Sequence, residues 1–179
     1  MIARPARFLL IVALVALVHA AVPVGAQLEP GRMLVIKAAA VTLPAGGSAE
    51  AIMTITLLPD YEILASPPPT QWATGASLAV VSSGDVVAKT AVFPAPQMVR
   101  DEDGGKEIPV WTSTIEVRVP LEAAAKAAPG DKSLSGRLRY QAHFKGEYYR
   151  VATRDFEIPV KVVKAKKGSG TAGAPATRP

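Results

Sequence analysis

Leu138-Arg139-Tyr140-Gln141-Ala142-His143-Phe144-Lys145-Gly146-Glu147-Tyr148-Tyr149, continued through Val163, is the stretch on which the fold turns. Leu138, Tyr140 and Ala142 alternate with Arg139, Gln141 and His143; further on, Phe156, Ile158, Val160 and Val162 alternate with Glu157, Pro159 and Lys161. A period of two puts successive side chains on opposite faces. The pattern therefore predicts two strands, each with one buried face, joined by a polar, Gly-bearing loop. That loop gathers Phe144, Tyr148 and Tyr149 beside His143, the one histidine outside the N-terminal segment. It holds no thiol, no pair of carboxylates and no cluster of metal-ligand types.

The same period recurs upstream. Ala49, Ala51, Met53, Ile55 and Leu57 alternate with Glu50, Thr54 and Thr56, and Trp111, Ser113, Ile115, Val117 and Val119 alternate with Thr112, Thr114, Glu116 and Arg118. Shorter strands fit residues 34–40, 41–43 and 61–66. Leu78 to Ser82 and Val86 to Phe93 have hairpin spacing around Ser83-Gly84-Asp85. Pro67-Pro68-Pro69 cannot donate to a ladder, so residues 66–76, Trp72 among them, read as a long extended connection. Residues 97–109 read as a solvated loop. Its Asp101-Glu102-Asp103-Gly104-Gly105 has carboxylates at alternate positions but lacks the later ligands and terminal glutamate of a calcium loop. Leu121 to Ala128 has high helix propensity and is stopped by Pro129-Gly130, which predicts one short helix of about two turns. Seven to nine short strands with turn signals about 8 to 12 residues apart predict an all-β chain, an immunoglobulin-like antiparallel β-sandwich.

The N-terminus carries Arg4 and Arg7, then an apolar run from Phe8 to Val18, then Val24-Gly25-Ala26 before Gln27. A run that short does not cross about 30 Å of hydrocarbon, and the small residues resemble a signal-peptidase site. Residues 1–26 read as a signal peptide, with cleavage after Ala20 or an uncleaved anchor as the alternatives. Removing 26 of the 179 residues leaves 153 and lowers the net charge from +5 to +3. That is one domain's worth of chain, with the domain itself at residues 27–163, large enough to be held by packing alone. Zero cysteines rule out disulfides and any thiol chemistry of its own. The basic residues are dispersed, which argues against a nucleic-acid partner. The cluster Lys164 to Lys167 opens a Gly-, Ala- and Pro-rich segment, 164–179, that reads as a disordered tail.

Several pieces in this order resemble the N-terminal periplasmic domain of the bacterial thiol:disulfide interchange protein DsbD. They are Asp60-Tyr61-Glu62-Ile63 before a Pro-rich connection, Val92-Phe93-Pro94-Ala95-Pro96, Val110-Trp111 after an acidic loop, Pro129-Gly130 and Leu138-Arg139-Tyr140-Gln141-Ala142. The resemblance covers roughly residues 34–163. It implies an immunoglobulin-like scaffold, a periplasmic or secreted location and a thioredoxin-like or cytochrome-maturation partner. In that family a cysteine follows the Tyr-Gln-Ala run and its partner lies six positions on. Those places are held here by His143 and Tyr149, so the resemblance implies that hairpin pairing brings the two positions within disulfide reach. Neither imidazole nor phenol can form a mixed disulfide, so the exchange activity does not carry over. The family's cap loop brings an aromatic over its cysteines, whereas residues 97–109 here contain none.

Hydrolysis would need a nucleophile beside a positioned base, and metal binding a ligand cluster; a single histidine on a solvent-facing strand predicts neither. The reading is a non-enzyme with no cofactor and no metal. It would bind another exported protein through His143, Phe144, Tyr148 and Tyr149, without stable membrane insertion after signal cleavage. The alternatives are an accessory docking on a redox partner that supplies the cysteines, and a structural envelope protein. Whether the loop aromatics form a contact patch or pack beneath the loop stays open at this level.

Overall fold

A computed structural model of the chain describes residues 32–100 and 105–165. The expected signal peptide, the acidic run 101–104 and the expected tail from residue 166 onward lie outside the described residues. Eleven strands follow in order: β1 (Leu34–Ala38), β2 (Val41–Pro44), β3 (Ser48–Leu57), β4 (Glu62–Leu64), β5 (Ser77–Val80), β6 (Val86–Ala88), β7 (Gln97–Arg100), β8 (Glu107–Thr112), β9 (Thr114–Ala123), β10 (Gly130–Phe144) and β11 (Glu147–Val163).

The alternation seen in sequence sorts these strands into two layers. One sheet has the order β1-β3-β9-β6. The other runs β2-β11-β10, and the far side of β10 is then shared, with β5 along its first half and β4, followed by β8 and β7, along its end. Every pairing is antiparallel except β2 with β11. The order β1-β3-β9-β6 facing β11-β10-β5 is that of an immunoglobulin-like sandwich, A-B-E-D against G-F-C. β2 adds a parallel strand at the G side, and β4 with the β7–β8 hairpin extends the second sheet at one end.

Inward-facing Met53, Ile55, Val117, Val119 and Leu121 of the first sheet meet Leu134, Leu138, Tyr140, Ile158 and Val160 of the second, all buried. Each such side chain contributes about 1.5–3 kcal/mol by leaving water, so the interlayer contact dominates the fold's stability. A second, smaller cluster of Leu64, Ala73, Ile108 and Val110, with Val99 and Tyr148 packed on it, forms at the extended end.

Four elements differ from the sequence reading. The expected helix at 121–128 is absent: Leu121 to Ala123 complete β9, paired with β3 on one side and β6 on the other, and a turn follows. Two turns of helix have too few internal hydrogen bonds to compete with a strand paired on both flanks. The single strand expected from 111 to 119 is two, because Ser113, at φ 56°, carries the chain from β8 in the second sheet to β9 in the first. β5 and β6 do not form a hairpin but belong to different sheets, and the turn 83–85 passes between them. The expected loop 97–109 is paired at both ends, with Gln97↔Val110 through Arg100↔Glu107. Its strands carry too little alternation to announce themselves.

Candidate functional site

The β10–β11 hairpin ends in a two-residue turn, Lys145-Gly146, with φ of 48° and 77°. Positive φ at both positions is the turn whose twist matches paired strands, and glycine takes the second position without steric cost. The expected loop 143–149 is therefore almost entirely strand: His143 and Phe144 end β10, and Tyr148 and Tyr149 lie on β11.

Register decides which way each aromatic points. Pairing runs evenly to Gln141↔Val151, but the next pair is His143↔Tyr148, so β11 carries one extra residue and Tyr149-Arg150 together oppose Ala142. Such a bulge leaves residues on either side of it on chosen faces. Tyr148 shares His143's face, their ring centroids 4.9 Å apart, and meets the Trp72 ring edge-on at 4.8 Å. Tyr149 turns to the opposite face, where Tyr61 lies 6.0 Å from it and stacks on Phe144 at 4.7 Å. Lys145 Nζ sits 5.1 Å above the Phe144 ring. Burial, with the neighbouring Tyr61 hydroxyl, pushes the Tyr149 phenol above its ordinary pKa.

The four residues singled out in sequence are thus brought together, but as two aromatic groups on two faces. Positions 143 and 149 do not face one another, contrary to the pairing implied by the resemblance; the extra residue on β11 gives that place to Tyr148. His143 also departs from its expected solvent-facing position, being only 5% exposed. Its Nδ1 lies 2.9 Å from Glu62 Oε2 on the neighbouring strand β4. Its Nε2 is buried without a hydrogen-bond partner among the described residues. Periodicity placed His143 on the outer face correctly. That face is covered here by Tyr148 and by β7, whose Val99 and Arg100 line a recess with Asp60, Glu62 and His143.

Gln141 fixes the Pro-rich connection onto this end. The Thr74 N–H donates to Gln141 Oε1 at 2.7 Å, and Gln141 Nε2 donates to the Tyr149 carbonyl at 2.9 Å. Trp72, on that connection, is 63% exposed. Tyr61, Glu62, Trp72 and Gln141 were not singled out in the sequence as site residues. Nothing local to them shows that β4 and the 66–76 connection return to the hairpin end, 67 residues away at the Thr74–Gln141 contact and 81 at the Glu62–His143 contact.

Chemically the site offers aromatic faces and one imidazole–carboxylate pair, His143 with Glu62. Nucleophilic catalysis needs a hydroxyl or thiol hydrogen-bonded to its base. His143 Nε2 meets none, and the chain has no cysteine. Among the described residues no three His, Asp or Glu side chains are arranged to hold a metal ion.

No family model and no curated protein matches this sequence. Among solved structures, the chain is similar to the reduced N-terminal domain of Neisseria meningitidis DsbD, with 16% identity and a TM-score of 0.45 over 75% of this chain and 90% of that one. The N-terminal periplasmic domain of ScsB from Proteus mirabilis is similar at 12% identity and a TM-score of 0.44, over 72% of this chain and 45% of that one. A type I cohesin from Pseudobacteroides cellulosolvens is similar at 8% identity and a TM-score of 0.41, over 79% and 98% of the two chains. The sandwich is assigned from its own strand order, independently of these likenesses. Among the described residues no helix is long and apolar enough to cross a membrane.

Proposed function

We propose that this chain is an exported, non-catalytic module that binds another protein through the end of the β10–β11 hairpin. The observation that carries the reading is Trp72, 63% exposed and held edge-on against Tyr148 by a connection that Gln141 fastens down. A large aromatic surface held in place before contact adds binding area with little loss of side-chain freedom, and for that reason Trp and Tyr dominate interface energetics. Val151, across the sheet from Gln141 and 42% exposed, widens the apolar surface.

A photo-reactive phenylalanine at Val151 tests this, with captured proteins identified by mass spectrometry. The same protein should be recovered repeatedly from position 151 and not from Val35, which is exposed on the other sheet. Trp72→Ala in the Val151-labelled chain should reduce its recovery at least tenfold, and Trp72→Phe should restore part of it. Capture unchanged by Trp72→Ala would remove the hairpin end from recognition.

A further inference from the structure

Strand β5 is held on one flank only. It pairs with β10 from Ser77↔Arg139 to Val80↔Gly136, and no described strand lies on its other side. The Val81 N–H donates to the Ser135 carbonyl at 2.8 Å, which extends this register by one residue. In an antiparallel pair, residues alternate between those that aim both backbone groups at the neighbour and those that aim them away. Ser77, Ala79 and Val81 are therefore bonded to β10, and Leu78 and Val80 present N–H and C=O groups at the open flank. Side chains alternate in the same rhythm, with Leu78 and Val80 half-buried inward and Ser77, Ala79 and Val81 exposed outward, Val81 to 67%.

Sheet edges are normally guarded against pairing by lysine, proline or a bulge. None of these guards β5. No charged residue occurs from Ile63 to Gly84, and no proline from Thr70 to Phe93, in a chain with 20 Lys and Arg and 15 Asp and Glu. On the neighbouring strand, Arg137, opposite Ala79, is paired with Asp155 at 2.6 Å, and Arg139, opposite Ser77, is exposed on the outer face.

We propose that β5 is the edge at which two copies of this chain join, antiparallel, across a two-fold axis through Ala79. Side-chain parity requires outward residues to oppose outward residues. Leu78 then lies opposite Val80 of the second copy and Val80 opposite its Leu78, an arrangement that closes four N–H···O=C bonds. Ala79 faces its own counterpart, and each exposed Val81 falls against Ser77 of the other copy, where the small side chains leave room for it. A second copy fits this edge better than an unrelated strand because the sequence is compatible with itself in that register. Two positively charged copies also meet here along a strand that carries no charge of its own, so no like charges are set directly opposite one another between the paired strands. The surface uses none of the hairpin-end residues and stands or falls apart from the binding role proposed above.

The test is sedimentation velocity on the full chain over a range of concentrations, for the wild type and for Ala79→Lys, with circular dichroism confirming that both are folded. The wild type should form a dimer. Ala79→Lys, which sets two like charges against each other at the axis, should weaken it at least tenfold. Because the chain has no cysteine, Ala79→Cys supplies the sole thiol. A non-hydrogen-bonded antiparallel pair has Cα atoms about 4.5 Å apart, within disulfide range, so this variant should oxidise to a covalent dimer. Thr153→Cys, exposed on the outer face of β11 two strands from β5, should not. A wild type monomeric at every concentration, a dimer that survives Ala79→Lys, or equal cross-linking at 79 and 153 would each overturn the proposal.

Discussion

Two glycines show how much a single missing Cβ matters in this sandwich. A Cβ on Gly136 would run into two ring carbons of Phe156, its cross-strand partner. A Cβ on Gly75 would fall 2.6 Å from the Ala65 carbonyl oxygen and 2.8 Å from the Ser66 Cα. The first obstacle is the far end of a half-buried side chain that can swing outward; the second is backbone, fixed by the Ala76 N–H to Leu64 carbonyl hydrogen bond beside it. Gly75→Ala is therefore expected to cost more than Gly136→Ala, which should lose about 1–3 kcal/mol as an overpacked site. Urea unfolding of both variants, and of Gly136→Ala combined with Phe156→Leu, checks this. The Phe156→Leu background should absorb most of the Gly136→Ala cost, and equal costs in both backgrounds would show that the ring is not the obstacle. Gly136 does not fit the alternation that marks the strand from Leu138 onward. It nonetheless lies inside β10; the sequence does not show a ring on another strand occupying the missing side chain's space.

At the level of the element, the hairpin end turns on one extra residue in β11. Because His143 pairs with Tyr148, the double change His143→Cys and Tyr148→Cys is expected to close an intramolecular disulfide under mild oxidation. His143→Cys with Tyr149→Cys should keep both thiols free under the same conditions, because Tyr149 packs against Tyr61 on the other face. Thiol labelling read by intact mass decides between them, and a disulfide formed as readily at 143 and 149 would mean that the bulge sits elsewhere. The strands themselves were legible wherever one face is dry and the other wet, as in β3, β9, β10 and β11. Alternation reports the face of a residue but not its partner. It joined β8 and β9 across Ser113 and paired β5 with β6 across a turn that separates two sheets. It was silent on β7, whose residues are mostly exposed. It also could not foresee all of the cover over His143, because Val99 and Arg100 of β7 come from a part of the chain distant from the hairpin.

For the molecule as a whole, two cores of unequal size imply two stabilities. The sandwich core draws on both sheets, whereas the cluster under the hairpin end has four buried side chains, one of them an alanine. The free energy of a local opening rises with the apolar surface it exposes to water. β4 and β8 also give Ile63 and Trp111 to the sandwich core, so opening them with the hairpin end exposes those two side chains besides the small cluster, still far less than unfolding the sandwich exposes. β10 belongs to both units: its first half lies over the main core, and its end carries His143 against Glu62 and Tyr148. Native-state hydrogen exchange in low denaturant should therefore divide β10 within a single strand, with the Leu134 and Leu138 amides protected to nearly the global limit and the amides of β4 and β8 exchanging at a lower free energy. Ile108→Ala should widen that gap by removing a side chain from the small cluster alone, and Val117→Ala should lower both sets together. Equal protection throughout, with both substitutions acting globally, would mean that the hairpin end is as rigid as the sandwich. Under the proposed binding role, the smaller cluster is the unit that a partner gripping Trp72 and Tyr148 would tighten. Protection gained on binding should then appear first in β4 and β8.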